Sequence, residues 1–411
     1  MPAIGDQLDL TIESIAYRGQ GIARHVGMVI FVNGGVAPGE RVRVRIAKLR
    51  RNYAEALLLA VQASSPDRIQ TACRLPNGAR LPGCVYDHLA YPAEVALKQQ
   101  QLEEFLRRLP GCEALTFAAP FPSPLPLHYR NKIMLHAQRA PRDKVPPLLG
   151  YFGDDNRTVI DIPASPLARA EINAALDAFR KPGTLRSMRS GESVTFRWSA
   201  ADGVQVWRDE QPPPRSHMTE RAPFGDVRVP TDGFYQVNPE VASELVKQVV
   251  AWFSDRGARN APDVLDLYCG AGVFAIACAK AGARRVMGIE SGRTAVAAAN
   301  ENARSHGVQA DFQCKIMADA ARDRFGRFDM THATVIVDPP RQGLDPEVAQ
   351  ALAAAQPPCI IYISCDPATL TRDLKILLPA GYAIREARLL DMFPRTAHFE
   401  TVVCLEKIME A

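Results

Sequence analysis

The sequence predicts a multidomain α/β protein with an N-terminal OB-like β-barrel, a central mostly β domain and a C-terminal doubly wound, Rossmann-like domain. Three observations predict it. Residues 8–61 carry short alternating apolar stretches parted by glycines. Residues 132–207 carry isolated short strands among proline-rich loops, and from about Val241 strands alternate with helices. The length of 411 residues suits two or three domains, and the boundaries expected are 1–62, 63–215 and 216–411. Apolar content of 47% with 23% charged residues is ordinary for a globular chain, and no apolar run approaches a membrane span, so no membrane partner is expected. Met1-Pro-Ala-Ile-Gly-Asp lacks the regions of a signal peptide, and the nine cysteines are odd in number and scattered. Reduced thiols, a cytoplasmic location and a monomer are the expectation.

The first segment shows Leu8-Asp-Leu-Thr-Ile, Met28-Val-Ile-Phe-Val and Arg41-Val-Arg-Val-Arg-Ile, separated by Gly19, Gly21, Gly34, Gly35 and Gly39. Alternation places Arg41, Arg43 and Arg45 on one strand face and Val42, Val44 and Ile46 in the core. Such a face is either simply solvated or a surface for a polyanion; the net charge of +4 is too small to decide. After Ser64-Ser-Pro come proline-rich loops and one long helix, expected from about Ala93 to Leu109. Short strands follow around Lys132-Ile-Met-Leu-His, Leu148-Leu-Gly-Tyr-Phe, Val194-Thr-Phe-Arg-Trp and Val204-Gln-Val-Trp, and Gln211-Pro-Pro-Pro-Arg marks a boundary.

In the last segment, the strand Asp263-Val-Leu-Asp-Leu-Tyr-Cys runs into Gly270-Ala-Gly-Val-Phe and a helix, a turn in which the backbone can approach a ligand. A second strand, Arg285-Val-Met-Gly-Ile, ends in Glu290, which is either a ribose acceptor or a surface carboxylate. Phe274 and Ala275 stand where a dinucleotide fingerprint needs its third glycine, so a cofactor without phosphates fits better. Thr334-Val-Ile-Val delivers Asp338-Pro-Pro-Arg-Gln-Gly-Leu, a stiff loop, to the carboxyl edge of the sheet. Cys359-Ile-Ile-Tyr-Ile-Ser delivers Cys365 to the same edge, before a helix opened by Pro367 and Thr369. Alone, Cys365 reads as core filler or as a nucleophile whose thiolate the helix N-terminus favours; its edge position supports the second.

The sequence resembles the RNA uracil-5-methyltransferase family in four motifs in order: Asp266-Leu-Tyr-Cys-Gly-Ala-Gly, Asp338-Pro-Pro-Arg-Gln-Gly-Leu, Tyr362-Ile-Ser-Cys-Asp-Pro-Ala-Thr-Leu-Thr-Arg-Asp-Leu and Asp391-Met-Phe-Pro-Arg-Thr-Ala-His-Phe-Glu-Thr-Val. Phe234-Tyr-Gln-Val-Asn-Pro and His128-Tyr-Arg-Asn-Lys also match. The N-terminal segment resembles a TRAM domain, an OB-like RNA-binding module, in Gly19-Gln-Gly-Ile-Ala-Arg, Val36-Ala-Pro-Gly-Glu-Arg-Val and Asn52-Tyr-Ala. The resemblance implies transfer of a methyl group from S-adenosylmethionine to carbon 5 of a uridine, with Cys365 as nucleophile and Glu400 as base. It implies cofactor contacts from Gln236, Tyr268, Glu290 and Asp338. His398 is an alternative proton acceptor, or, two residues along a strand, an orienting neighbour of Glu400. Arg341 and Arg130 are candidate RNA contacts.

The sequence also departs from that family. Many members hold an iron–sulfur cluster on four cysteines; here Cys73 and Cys84 match two of them, Arg74 to Gly83 contains no cysteine, and Ser165 stands at the fourth position. Cys112 is spare. No metal is therefore expected. Val273 replaces an asparagine that in some members touches the cofactor. Two rival readings are a non-catalytic RNA-binding relative, against which Cys365 and Glu400 stand, and an amino-methylating enzyme, which needs no thiol. The expected substrate is RNA, ribosomal first and transfer RNA second.

Overall fold

The structure, a computed structural model, describes residues 2–71, 73–75, 78, 80–139, 147–153, 155–209, 211–257 and 262–408. The chain forms two compact units, Met1–Leu102 with Phe393–His398, and Glu103–Met392 with Phe399–Ala411. No helix among the described residues is long and apolar enough to cross a membrane.

In the first unit, β1 (Gln7–Thr11), β2 (Ser14–Ile15), β3 (Gly21–His25), β4 (Met28–Asn33), β5 (Arg41–Leu49) and β6 (Tyr53–Ala63) form one sheet in the order β1-β5-β6-β4-β3-β2. All six strands feed a single core that includes Leu10, Ile15, Ala23, Ile30, Val44 and Ala56. On β5, Arg41, Arg43 and Arg45 are exposed while Val42, Val44 and Ile46 are buried, so the alternation holds. One guanidinium of this face is engaged: Arg43 forks onto Asp9 at 2.8 and 3.0 Å, and this bond holds the Asp9 carboxyl down to about 2. Helix α1 spans Tyr91–Leu106. Lys98 on α1 is buried, because its ammonium meets Glu94 at 2.8 Å and the carbonyl of Phe393, while Glu94 also accepts the Arg395 N–H.

The second unit opens with β7 (Lys132–Gln138), β8 (Leu148–Phe152) and β9 (Val159–Asp161), then α2 (Ala170–Phe179), β10 (Ser193–Ser199) and β11 (Gly203–Arg208). Their antiparallel sheet has the order β11-β10-β7-β8-β9. Ile172 and Leu176 of α2 pack with Ile133, Leu135, Val194 and Phe196, so one sheet face is covered. A hairpin of β12 (His217–Ala222) and β13 (Gly225–Pro230) leads to α3 (Pro239–Trp252), capped by the Asn238 side chain. Arg197 on β10 is 1% exposed and donates to the carbonyls of Pro230 (2.8 Å), Thr231 (2.8 Å) and Gly233 (3.2 Å), and to Glu220 at 3.1 Å. Removing it strands the buried Thr231 carbonyl and Glu220 carboxylate, while the Pro230 and Gly233 carbonyls keep the Gly233 N–H and the Lys132 ammonium. Arg197→Met should therefore lower stability by about 3–5 kcal/mol, measured by urea denaturation; a loss under about 1 kcal/mol would mean that these groups find other partners.

The remaining elements alternate as the sequence predicts: β14 (Asp263–Leu267), α4 (Val273–Lys280), β15 (Val286–Glu290), α5 (Arg293–Ser305), β16 (Asp311–Cys314), β17 (Ala333–Val337), α6 (Pro346–Ala355), β18 (Cys359–Ser364), α7 (Pro367–Leu377), β19 (Tyr382–Leu390) and β20 (Glu400–Lys407). The sheet order is β16-β15-β14-β17-β18-β20-β19. The first five strands are parallel, and β20 lies antiparallel between β18 and β19. Strand order reverses at β14 and β17, which opens a crevice at their carboxyl ends.

Candidate active site

At that crevice the backbone after β14 is bent. Tyr268 has φ 64°, a conformation uncommon for a non-glycine residue, and Gly272 has φ 82° with a Cβ position 2.8 Å from the Phe312 ring. The turn is held from beneath by Asp266, fully buried, whose carboxyl accepts the Ala275 N–H at 3.0 Å. Burial raises the Asp266 carboxyl well above its ordinary value. The sequence motif contained this residue but did not reveal its task; its signal was an acid between two leucines within the strand.

The turn forms one wall of a cleft with about 540 Å³ of empty space, lined also by Phe234, Gln236, Phe274 and Asp338. Gln236, Tyr268 and Asp338 thus share one cavity. Gln236 is placed by the central sheet: buried Asn131 donates from its side chain to the Gln236 carbonyl at 3.2 Å and from its backbone to Val237 at 2.9 Å. Glu290, at the end of β15, accepts the N–H groups of Gly270 (3.3 Å) and Gly292 (2.7 Å), so its carboxylate is fixed against the same glycine turn. Val273 lines the cleft as an apolar group. Neither lysine nor arginine lines it, which suits a ligand without phosphates. Phe234 stands 75% exposed at this cleft, an exposure that sequence alone could not show.

Beyond Asp338 lies the thiol. β18 pairs with β20 so that Ser364 faces Thr401, and the next step of this antiparallel register sets Cys365 beside Glu400. Glu400 is 2% exposed, and burial first, then the neighbouring Asp338, raise its carboxyl well above the usual range; Arg341 acts in the opposite sense. The half-buried Cys365 thiol is pushed up to about 12 by burial and by Glu400, again opposed by Arg341. The thiolate expected from the start of α7 is therefore not favoured in the resting site. The reason is burial first and the Glu400 carboxyl next; the helix end does not offset them, since the Asp366 side chain already accepts the Ala368 and Thr369 N–H groups.

Desolvation pushes Asp338, partly accessible from the cleft, from 3.8 up to about 7. The folded protein then holds a proton that the unfolded chain has released, and stability contributed by that proton is complete below about pH 4 and lost by about pH 7. Asp338→Asn cannot titrate. Its melting temperature relative to the parent should rise between pH 4 and 7 and level off above; an equal difference at pH 5 and pH 8 would contradict the burial.

Three comparisons bear on this geometry. Residues 225–408 match the family model described as tRNA (Uracil-5-)-methyltransferase, and residues 3–59 match the TRAM domain. The chain is 31% identical to the 23S rRNA (uracil(1939)-C(5))-methyltransferase RlmD of Pseudomonas aeruginosa, over 98% of this chain and 95% of that protein. It is 30% identical to an uncharacterized RNA methyltransferase of Gloeobacter violaceus, over 98% of this chain and 97% of that one. The chain belongs to the RNA uracil-5-methyltransferase family. It is an S-adenosylmethionine-dependent enzyme with an N-terminal TRAM domain. Its fold matches that of the Pyrococcus abyssi tRNA (uracil-54, C5)-methyltransferase in complex with S-adenosyl-L-homocysteine, with a TM-score of 0.72 and 24% identity over 97% of this chain and all of that one.

In this methyltransferase other expected residues lie differently. β20 begins at Glu400, so His398 shares no strand face with it; His398 belongs to the Phe393–His398 segment, its ring 6.3 Å from Phe393 and its N–H on the Thr396 hydroxyl. Arg341 is exposed in the loop after β17, while Arg130 is half-buried with its guanidinium 6.0 Å from the Tyr129 ring. Cys73 and Cys84 are both buried in the first unit, and their mutual hydrogen bond, with burial, raises the Cys84 thiol. Ser165 and Cys112 belong to the second unit; the Ser165 hydroxyl is buried without a hydrogen-bond partner, and Cys112 lines a cleft with Leu115 and Ile384. Among the described residues no three His, Cys, Asp or Glu side chains are grouped to hold a metal ion.

Proposed function

We propose that this enzyme methylates carbon 5 of a uridine in ribosomal RNA, with Cys365 as the nucleophile and Glu400 as the base. The observation that carries this reading is the cross-strand adjacency of Cys365 and Glu400 next to Asp338. Carbon 5 of uracil is a weak nucleophile until a group adds to carbon 6. Cys365 makes that addition, giving up its proton to solvent at the half-buried thiol as the sulfur–carbon bond forms, and Arg341 stabilises the anionic state. S-adenosylmethionine supplies an electrophilic methyl group on its sulfonium. Glu400, once it has given up the proton that burial and Asp338 favour on it in the resting site, takes the proton left on carbon 5, which restores the ring double bond and expels the thiolate. Gln236, Tyr268, Glu290 and Asp338 hold the cofactor in the cleft, and Arg341 and Arg130 meet the RNA.

Ribosomal RNA is favoured by the full-length similarity to a protein that acts on 23S rRNA and by the TRAM domain. The target base must be unstacked to reach a half-buried thiol, at a cost of a few kcal/mol that binding elsewhere on a large RNA can offset. Mapping 5-methyluridine in ribosomal and transfer RNA from cells with and without the enzyme tests this. Loss from ribosomal RNA supports it; loss from transfer RNA alone moves the target, and loss from neither refutes the activity.

The enzyme works without an iron–sulfur cluster in this reading, because Cys73 and Cys84 supply two thiols and serine stands at the fourth family position. Protein purified anaerobically should lack the broad visible absorbance of a cluster. Stoichiometric iron would overturn the assignment.

A further inference from the structure

Two motifs of the sequence meet in the fold through residues that the mechanism does not use. The loop after β17 carries Asp338, Arg341, Gln342, Gly343 and Leu344, and α7 starts two residues after Cys365. Thr369, Arg372 and Asp373 stand three and four residues apart on α7, so they share one face. That face holds the loop by its backbone. The Thr369 hydroxyl donates to the Arg341 carbonyl at 3.4 Å, and the Arg372 guanidinium donates to the carbonyls of Gln342 (2.8 Å) and Leu344 (2.9 Å). Asp373, 1% exposed, accepts the Leu344 N–H at 2.8 Å and the hydroxyl of buried Tyr362 at 2.6 Å, while its other oxygen accepts the Arg372 Nε–H at 2.8 Å.

Gly343 marks the closest approach of loop and helix. Its φ is 75°, and a Cβ there would stand 2.6 Å from an Asp373 oxygen and 2.7 Å from the Arg372 guanidinium. A side chain would push the two apart. The bonds fix the loop backbone and leave the Arg341 side chain exposed. What this loop carries is charge. Arg341 acts on both Cys365 and Glu400, and on each it opposes burial and the neighbouring carboxyls: Glu400, Asp338 and Asp366 around the thiol, and Asp338 beside Glu400. Charge interactions weaken with distance, so this cation is effective only while its backbone stays in place.

We infer that Thr369, Arg372 and Asp373 are positioning residues for the reaction: they tie the Arg341 loop to the helix that follows the nucleophile, so that one unit sets the distance from guanidinium to sulfur. The inference rests on the proposed roles of Cys365, Glu400 and Arg341. As the sulfur–carbon bond forms, the thiol proton leaves to solvent and negative charge passes to the uracil ring. A cation fixed beforehand stabilises that charge without having to move.

The test substitutes Arg372, whose side chain is 53% exposed, so that the fold tolerates its loss. Single-turnover adduct formation on RNA containing 5-fluorouridine, with S-adenosylmethionine and saturating RNA, is followed across pH for the full-length parent, Arg372→Met, Arg341→Ala and the double variant. Each single variant should react about tenfold more slowly or worse. The rising limb of its pH profile should move to higher pH, because the thiol and Glu400 then keep their protons longer. The double variant should be no slower than Arg341→Ala, since the helix acts through that arginine. Arg372→Lys keeps the charge and a donor and should recover part of the rate, while Gly343→Ala, which displaces the loop from its own side, should repeat the upward pH shift. Parent-like rates in Arg372→Met and Gly343→Ala would overturn the inference, as would a loss equal at every pH or one that multiplies with that of Arg341→Ala. A parent enzyme that forms no adduct would sink the proposed reaction and the inference with it, an outcome distinct from a reactive parent matched by its variants.

Discussion

With 5-fluorouridine in the target RNA, the enzyme is expected to end as a covalent protein–RNA adduct through Cys365. Fluorine leaves no proton on carbon 5 after methylation, so the elimination that frees the thiol cannot occur. The sulfur sits beside Glu400 at the end of β18, and its resting proton is held firmly by burial, so little reaction is expected with adventitious electrophiles. Cys365→Ala should give no adduct and should lower methylation of natural RNA by on the order of 10⁴-fold or more. Half-buried and outside the strand proper, the residue can lose its sulfur with little change in melting temperature, so inactivity would not reflect unfolding. An adduct that survives the substitution would reassign the nucleophile.

The second large effect belongs to Glu400. Because burial and Asp338 already favour its neutral form, Glu400→Gln is nearly isosteric and leaves no new buried charge. Addition to carbon 6 and methylation of carbon 5 should both proceed in that variant. Release should not, since glutamine cannot accept the carbon 5 proton. A denaturant-resistant complex should therefore accumulate on ordinary uridine, with steady-state turnover lower by about 10²–10⁴-fold. Normal turnover would place the base elsewhere, with His398 as the next group to test.

Strand ends were the most readable part of this chain. Glu290, Asp338 and Cys365 each follow a short, mainly apolar strand, and the sheet delivers all three to one edge. The partnership of Cys365 with Glu400 was not readable in that way, because it depends on β20 entering antiparallel next to β18. No local pattern encodes that insertion; only the resemblance pointed to Glu400. Charge shows the same divide. Alternation along β5 exposes its three arginines, but the engagement of Arg43 needs Asp9, 34 residues away in the chain. The expected thiolate failed for a related reason: a helix start is legible, whereas burial and the carboxylates around a thiol are properties of the assembled sheet.

The insertion of β20 has a consequence for how the enzyme matures. Strands β14 to β18 form a parallel sheet among themselves, but without β20 the outer side of β18 is a bare edge and Cys365 lacks Glu400 as its neighbour. The pairing of β20 onto that edge sets Cys365 beside Glu400, and burial together with that carboxyl makes the sulfur reluctant to ionise. A molecule caught before this step, or one in which β20 has peeled away, would carry an ordinary reactive thiol and no catalyst. The rate at which Cys365 is alkylated would then report the fraction of molecules in which β20 has come away from β18.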